Sequence, residues 1–290
     1  MPTLSNKIDF AIIFRVRNAN PNGDPLNGNR PRTDYSGLGE VSDVCLKRKL
    51  RDRLVERYQA LPKGEKEGQG IFVQSDDRKV DDARSLRERA DAVLAKEKDA
   101  TKIAKNACEK WLDVRAFGQL FAYKSDKKKR GDDAEGDTGV SIGIRGPVTI
   151  QSAFSKEPVS VTSTQITKSV SGEGDGSKRG SDTMGMKHRV DQGVYVTFGS
   201  MNPQLAERTG FSDADAETIK KLLPKLFEND ASSARPEGSM EVTKVIWWKH
   251  SSKAGQYSSA KVHRSLEVKA DGSYTLAPLA GLKPEEINGF

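Results

Sequence analysis

The sequence predicts an α+β fold whose elements run strand, helix, strand, strand, helix, strand once two polar insertions are set aside. Three observations carry that reading. Residues 8–17 alternate with period two, which marks a strand. Ile219, Leu222, Leu223, Leu226 and Phe227 recur at helical spacing behind Ser212, which marks a capped amphipathic helix. Short apolar runs at 140–154, 193–200 and 242–249 supply the remaining strands. This is the split-βαβ, ferredoxin-like plan. RNA-recognition modules and many enzymes share it, so the plan alone assigns no function.

Taken in order, the first strand puts Ile8, Phe10, Ile12, Phe14 and Val16 on one apolar face. Asp9, Ala11, Ile13, Arg15 and Arg17 alternate with them. The two arginines either face solvent or contact phosphate. Residues 18–34, NANPNGDPLNGNRPRTD, form a loop with two Asn-Gly pairs and with Pro21, Pro25 and Pro31 against regular structure. Such loops can aim successive backbone N–H groups at an anion, and Arg30 and Arg32 sit near the end of this one. A helix follows over 41–58, capped by Ser42 or Asp43. Leu46, Leu50 and Leu54 form its apolar stripe. Lys47, Arg48, Lys49, Arg51, Arg53 and Arg57 surround most of the rest. Of these, Lys47, Arg48 and Arg51 share one sector of roughly 100° beside the stripe.

Residues 63–110 are nearly half charged, with the signs almost balanced. They predict polar helices over 81–110, an excursion and not core. WLDVRAFGQLF, 111–121, regains apolar weight and predicts a helix docked on the core. The run Lys127–Arg130 is cancelled by Asp132, Asp133, Glu135 and Asp137, so 124–139 reads as a solvated loop. The strand at 140–154 is interrupted by Gly146-Pro147. Residues 155–192 are Ser/Thr-rich, then Gly-rich and basic, with Met184 and Met186 as isolated apolar side chains. They predict a long mobile arm, either disordered or ordered by nucleic acid. At the later helix, Ser212 caps, Asp215 closes the capping box, Phe211 staples and Pro224 kinks the end. In the last strand one of Trp247 and Trp248 faces each way. At least one packs in the core, and the other is open to base stacking.

Chemistry is sparse. The chain has 290 residues with 48 Lys+Arg against 41 Asp+Glu, a net charge of +7. That is a mild invitation to polyanions. No apolar run of about 18 residues occurs, and the start MPTLSNKIDF has no secretory pattern. A soluble, cytoplasmic protein with no membrane contact is expected. Cys45 and Cys108 make neither a disulfide framework nor, with His188, His250 and His263, a zinc module. No cofactor or metal is expected. Phosphate-loop, metalloprotease and nucleophile-elbow motifs are absent from the sequence. His250 and His263 have no acidic neighbour in sequence. Asp24 is either a turn residue or, less economically, a magnesium ligand. No catalytic residue emerges.

Four segments in order, IDFAIIFRVRNANPNGDPLNGNRPR (8–32), VSDVCLKRKLRD (41–52), DVRAFG (113–118) and IRGPVTIQSAFSKEPV (144–159), resemble one family. It is the seventh Cas family of the RAMP superfamily, the crRNA-binding backbone subunit of the type I-C CRISPR Cascade. The resemblance implies an RRM-like palm (1–60 with 126–154 and 193–290), a helical finger (61–125) and a β-hairpin thumb (155–192). It further implies several copies stacked along one crRNA as a helical filament, the guide presented to target DNA in antiviral defence, contacts to other Cascade subunits, and no enzymatic activity. Carried onto this chain, the RNA-binding set is Arg15, Arg30, Arg32, Lys47, Arg48, Lys49 and Arg51, with Gln151 and Ser152 after the Gly-Pro strand. The thumb adds Lys168, Lys178, Arg179, Met184, Lys187 and His188. Met184 would serve as an apolar wedge between bases.

Overall fold

The computed structural model describes residues 2–94, 97, 99–122, 141–167 and 184–290. β1 (Ile8–Ala19) leads through a two-residue ladder, β2 (Gly23–Asp24) and β3 (Arg30–Pro31), into β4 (Leu38–Val41) and the helix α1 (Asp43–Ala60). Then come α2 (Leu86–Leu94), α3 (Ala100–Lys110), α4 (Leu112–Phe117) and β5 (Gly118–Ala122). β6 (Ser141–Arg145), β7 (Val148–Ile150), β8 (Ala153–Pro158), β9 (Val161–Thr167) and β10 (Met184–Met201) follow. α5 (Pro203–Thr209), α6 (Asp213–Leu222), β11 (Met240–Lys249), α7 (Ser259–Arg264), β12 (Leu266–Val268), β13 (Tyr274–Leu276) and β14 (Glu285–Asn288) complete the chain.

The main sheet is antiparallel in the order β14-β11-β1-β10-β8-β4, with β7 and β9 also on β10. The four strands read from sequence therefore lie fourth, first, third, second, the split-βαβ arrangement. One face of β1 packs Phe10, Ile12 and Phe14 against Leu46, Leu50 and Leu54 of α1 and Ile219 of α6. Phe10 stacks on Trp247 at 5.6 Å and Phe14 on Tyr195 at 5.3 Å. α6 forms as its sequence predicts: Ser212 and Asp215 close a capping box, and Pro224 lies in the 3-10 turn Leu223–Lys225 that ends the helix.

The second face of β1 differs from expectation. It too is apolar, with Ala11, Ile13, Val194, Val196, Ile246 and Trp248 under Val262, Leu266, Val268 and Leu282. The cover is the segment after β11, whose short elements carry too little periodicity to stand out in sequence. Trp247 and Trp248 are both buried, which removes the base-stacking reading. The histidines of this cover do meet an acid. His250 Nε2 lies 2.9 Å and His263 Nε2 3.5 Å from the buried carboxylate of Asp9, and Lys7 Nζ lies 3.2 Å away. Burial by itself would raise the Asp9 carboxyl. The hydrogen bond from His250, the neighbouring His263 and Ser259 side chains and the charge of Lys7 outweigh it and hold the group well below the usual carboxylate range.

The charged excursion owns a small core, which its composition hides. Trp111 and Phe121 pack on Phe72 at ring distances of 4.8 and 5.2 Å, with Ala90, Leu94, Ala107 and Cys108 around them. The helix expected over 111–121 stops at Phe117. Gly118 turns the chain at φ 81°, where a Cβ would strike the Ile144 carbonyl. β5 then pairs with β6, so β6 leaves the main sheet. Arg115 forks onto Asp215 at 2.9 and 2.7 Å and ties α4 to α6. The stretch expected as an irregular arm is, in its described parts, a ladder: β9 pairs with Met184–Val190 of β10, a strand of 18 residues that continues into the main sheet.

Candidate nucleic-acid interface

The Asn/Gly loop is built by its own side chains. Asn18 and Asn29 adopt φ of 53° and 60°, conformations that asparagine tolerates. Asn20 Nδ2 donates to the Asn29 carbonyl at 2.7 Å. Asp24 accepts from Leu26 N–H at 3.2 Å and pairs with Arg32 at 3.5 Å. That is the turn role. The loop lies over the start of α1, because Asn22 Oδ1 accepts from both Ser42 N–H (2.9 Å) and Ser42 Oγ–H (2.8 Å), while Ser42 caps the helix. The β4–β8 register sets Val41 opposite Ala153, which brings Ser152 beside the same helix start. Gln151 is exposed there.

Arg30 leaves the loop in another direction and donates to Ser163 Oγ of β9 at 3.3 Å. The loop, the start of α1 and the root of the hairpin thus meet in one region. Its cations are Arg30, Arg32, Lys47 and Arg48. Lys47 is held by Asp43 at 3.0 Å, and Arg48, 58% exposed, donates to Ser75 Oγ at 3.0 Å. Lys187 is exposed on the hairpin with Met184 and Met186. Lys168, Lys178 and Arg179 lie outside the described residues.

Four of the expected contacts are engaged with other partners. Lys49 is buried and ion-paired with Asp230. Burial drives its ammonium downward, opposed chiefly by the Asp230 charge. Arg51 lies 2.9 Å from the fully buried Asp113 and covers the Phe117 ring at 5.0 Å. Both side chains serve packing. Their partners are 181 and 62 residues away in sequence, where spacing on a helix gives no hint of them. Arg15 points to the opposite face of the sheet, where it donates to the Asp271 carbonyl at 2.7 Å. That face holds a groove of about 1100 Å³ whose cations Arg15, Arg17 and Lys156 are matched by Glu157, Asp191, Glu241 and Asp271. Its balance suits no polyanion. His188 is buried and meets Ser163 Oγ through Nδ1 at 2.8 Å. Ser163 itself escapes a reading of the sequence, since nothing sets it apart among the Ser and Thr around it.

Among the described residues no cluster of His, Cys, Asp and Glu suits a metal ion, and no helix is long and apolar enough to cross a membrane. An anchored loop, a basic helix start and a projecting hairpin make a surface suited to a phosphate backbone.

The family model for CRISPR-associated protein Cas7 matches residues 6–283, and the chain belongs to that family. A curated relative, CRISPR-associated protein Cas7 of Haloferax volcanii, is 26% identical over 283 residues, covering 94% of this chain and 78% of the relative. Two similar solved structures are a CRISPR RNA-guided surveillance complex, pre-nicking (19% identity, 83% of this chain and 75% of that chain, TM-score 0.49), and a CRISPR RNA-guided surveillance complex (17% identity, 83% and 68%, TM-score 0.42).

Proposed function

We propose that this chain is the crRNA-binding backbone subunit of a type I-C CRISPR surveillance complex and not an enzyme. The observation that carries the reading is membership of the family across residues 6–283. Main sheet, α1 and α6 form a palm, 61–125 a finger, and 155–192 a thumb. Several copies stack along one crRNA in the cytoplasm. The guide bases stay open to target DNA, and other Cascade subunits complete the complex for antiviral defence.

The side-chain chemistry supports this. A guide of arbitrary spacer sequence must be held without its bases being read. Lys, Arg and backbone N–H groups on phosphate do that, and such contacts are salt-sensitive. The proposed contacts are Arg30, Arg32, Lys47, Arg48, Gln151, Ser152 and Lys187, joined by Lys168, Lys178 and Arg179. Met184 is the wedge. A few contacts per copy suffice, because the copies act together on one strand through effective concentration. Asp24, the one residue with a case for magnesium-dependent cleavage, is engaged by Leu26 N–H and Arg32.

The test is purification of the complex with its RNA, followed by limited nuclease digestion. Protected fragments stepping by a constant increment are expected. A smooth fragment distribution contradicts the filament, and absence of RNA contradicts the whole reading. Incubation with Mg²⁺ should leave labelled RNA intact in the wild type and in Asp24→Ala alike.

A further inference from the structure

The hairpin stands far out from the sheet that carries it. Six cross-strand pairs, from Arg189–Thr162 to Met184–Thr167, continue β10 beyond the last β1 pairing, Ala19–Val190. At about 3.3 Å per residue that is a lever of roughly 20 Å. Side chains alternate along it, so Met184, Met186 and His188 share one face. Both methionines are exposed and His188 is buried at the root. A two-stranded ribbon of this length is marginal alone, and its direction depends on what braces its base.

The brace on this face is a relay of three residues from three elements. Arg30 Nη1 of β3 donates to Ser163 Oγ at 3.3 Å, and Ser163 Oγ lies 2.8 Å from His188 Nδ1. Arg30 can only donate. The Ser163 oxygen therefore accepts from it, and the Ser163 hydrogen is free for Nδ1. Ser163 and His188 are also direct cross-strand partners, so the contact lies across the ladder and not along one strand.

We propose that Ser163 is a positioning residue: it couples the Arg30 loop to His188 and so sets the angle at which the Met184–Met186 face of the hairpin meets RNA. The proposal rests on the backbone-subunit reading for its consequence but not for its geometry. Arg30 is the wrong residue to test, since it is also a candidate phosphate contact. Ser163→Ala removes only the hydroxyl, and Ser163→Thr keeps it in a strand-compatible side chain.

Two measurements separate the parts. Hydrogen exchange of the full chain without RNA should show amides of 161–167 and 184–190 exchanging about fivefold faster in Ser163→Ala, the population change that losing one ordinary hydrogen bond gives. β1 and β11 should be unchanged, and Ser163→Thr should restore wild-type exchange. In the assembled complex, Ser163→Ala should change RNA affinity less than about threefold, since it removes no charge, yet blur the constant step of the protected fragments. Unchanged exchange overturns the relay. Faster exchange with an equally sharp step overturns the positioning role. If the wild type itself shows no step, the backbone-subunit reading fails, the positioning role fails with it, and the exchange result alone decides the relay.

Discussion

The start of α1 and its middle carry the same kinds of side chain and use them differently. Lys47 and Arg48 sit at the loop end, one tied to Asp43 and the other 58% exposed. Lys49, Arg51 and Arg53 turn to Asp230, Asp113 and Glu56 and are nearly closed to solvent. The helical wheel places Arg51 in one sector with Lys47 and Arg48. It cannot say that residues 71–75 and α4 cover the far part of that sector. Charge on a helix is open to a ligand where its side chain stays exposed, as at Arg48, and not where the fold has closed over the ion pair, as at Lys49.

The contrast breaks most visibly at Arg51. Arg51→Ala leaves the Asp113 carboxylate buried with only the Phe72 and Val73 N–H groups, at 2.7 and 3.1 Å. Removing one partner of a buried pair costs about 3 kcal/mol at the lower end. A guanidinium chloride melt should show that loss without RNA present. Were Arg51 a phosphate contact instead, stability would hold and only RNA binding would fall.

Lys47→Glu with Arg48→Glu should do the reverse. RNA affinity should fall by a similar factor for unrelated guide sequences, and the salt slope should flatten by about one for each phosphate the variant no longer neutralises. Titration at several salt concentrations measures both. A loss that depends on guide sequence would mean base contacts.

Acid sharpens the same contrast. Burial raises Asp230, but Lys49 and Arg235 outweigh it and hold the carboxyl below its ordinary value of 3.8. A carboxyl depressed in the folded state stabilises above its unfolded pKa, and that contribution is lost as pH falls through the folded value. Asp9, under the other face of the sheet, follows the same sign. Stability should therefore drop below about pH 4, and Asp230→Asn should flatten the drop. Denaturant midpoints at pH 3, 4 and 7 check it. The smallest effect is on Arg48→Ala, whose exposed side chain reaches Asp52 only at 3.8 Å and should cost less than about 1 kcal/mol of stability.

What is legible in sequence follows from range. The first strand, the start of α1 and the capping box at Ser212 rest on neighbours within a turn or two, so local pattern reveals them. The hairpin root, Asp113 under Arg51 and the histidines around Asp9 are contacts across the chain. Asp9 and His250 are 241 residues apart, and neither residue signals the other. The cover over the second sheet face stays hidden for a different reason: its strands β12 and β13 are three residues long, too short to show a period.

The most direct test of phosphate-backbone binding is the affinity of the wild-type complex for two RNAs of equal length and unrelated sequence, measured against salt. Equal affinities falling together, with parallel slopes of several units, are expected. Affinities that differ by more than about tenfold between the two RNAs, or that ignore salt, would contradict binding through the backbone.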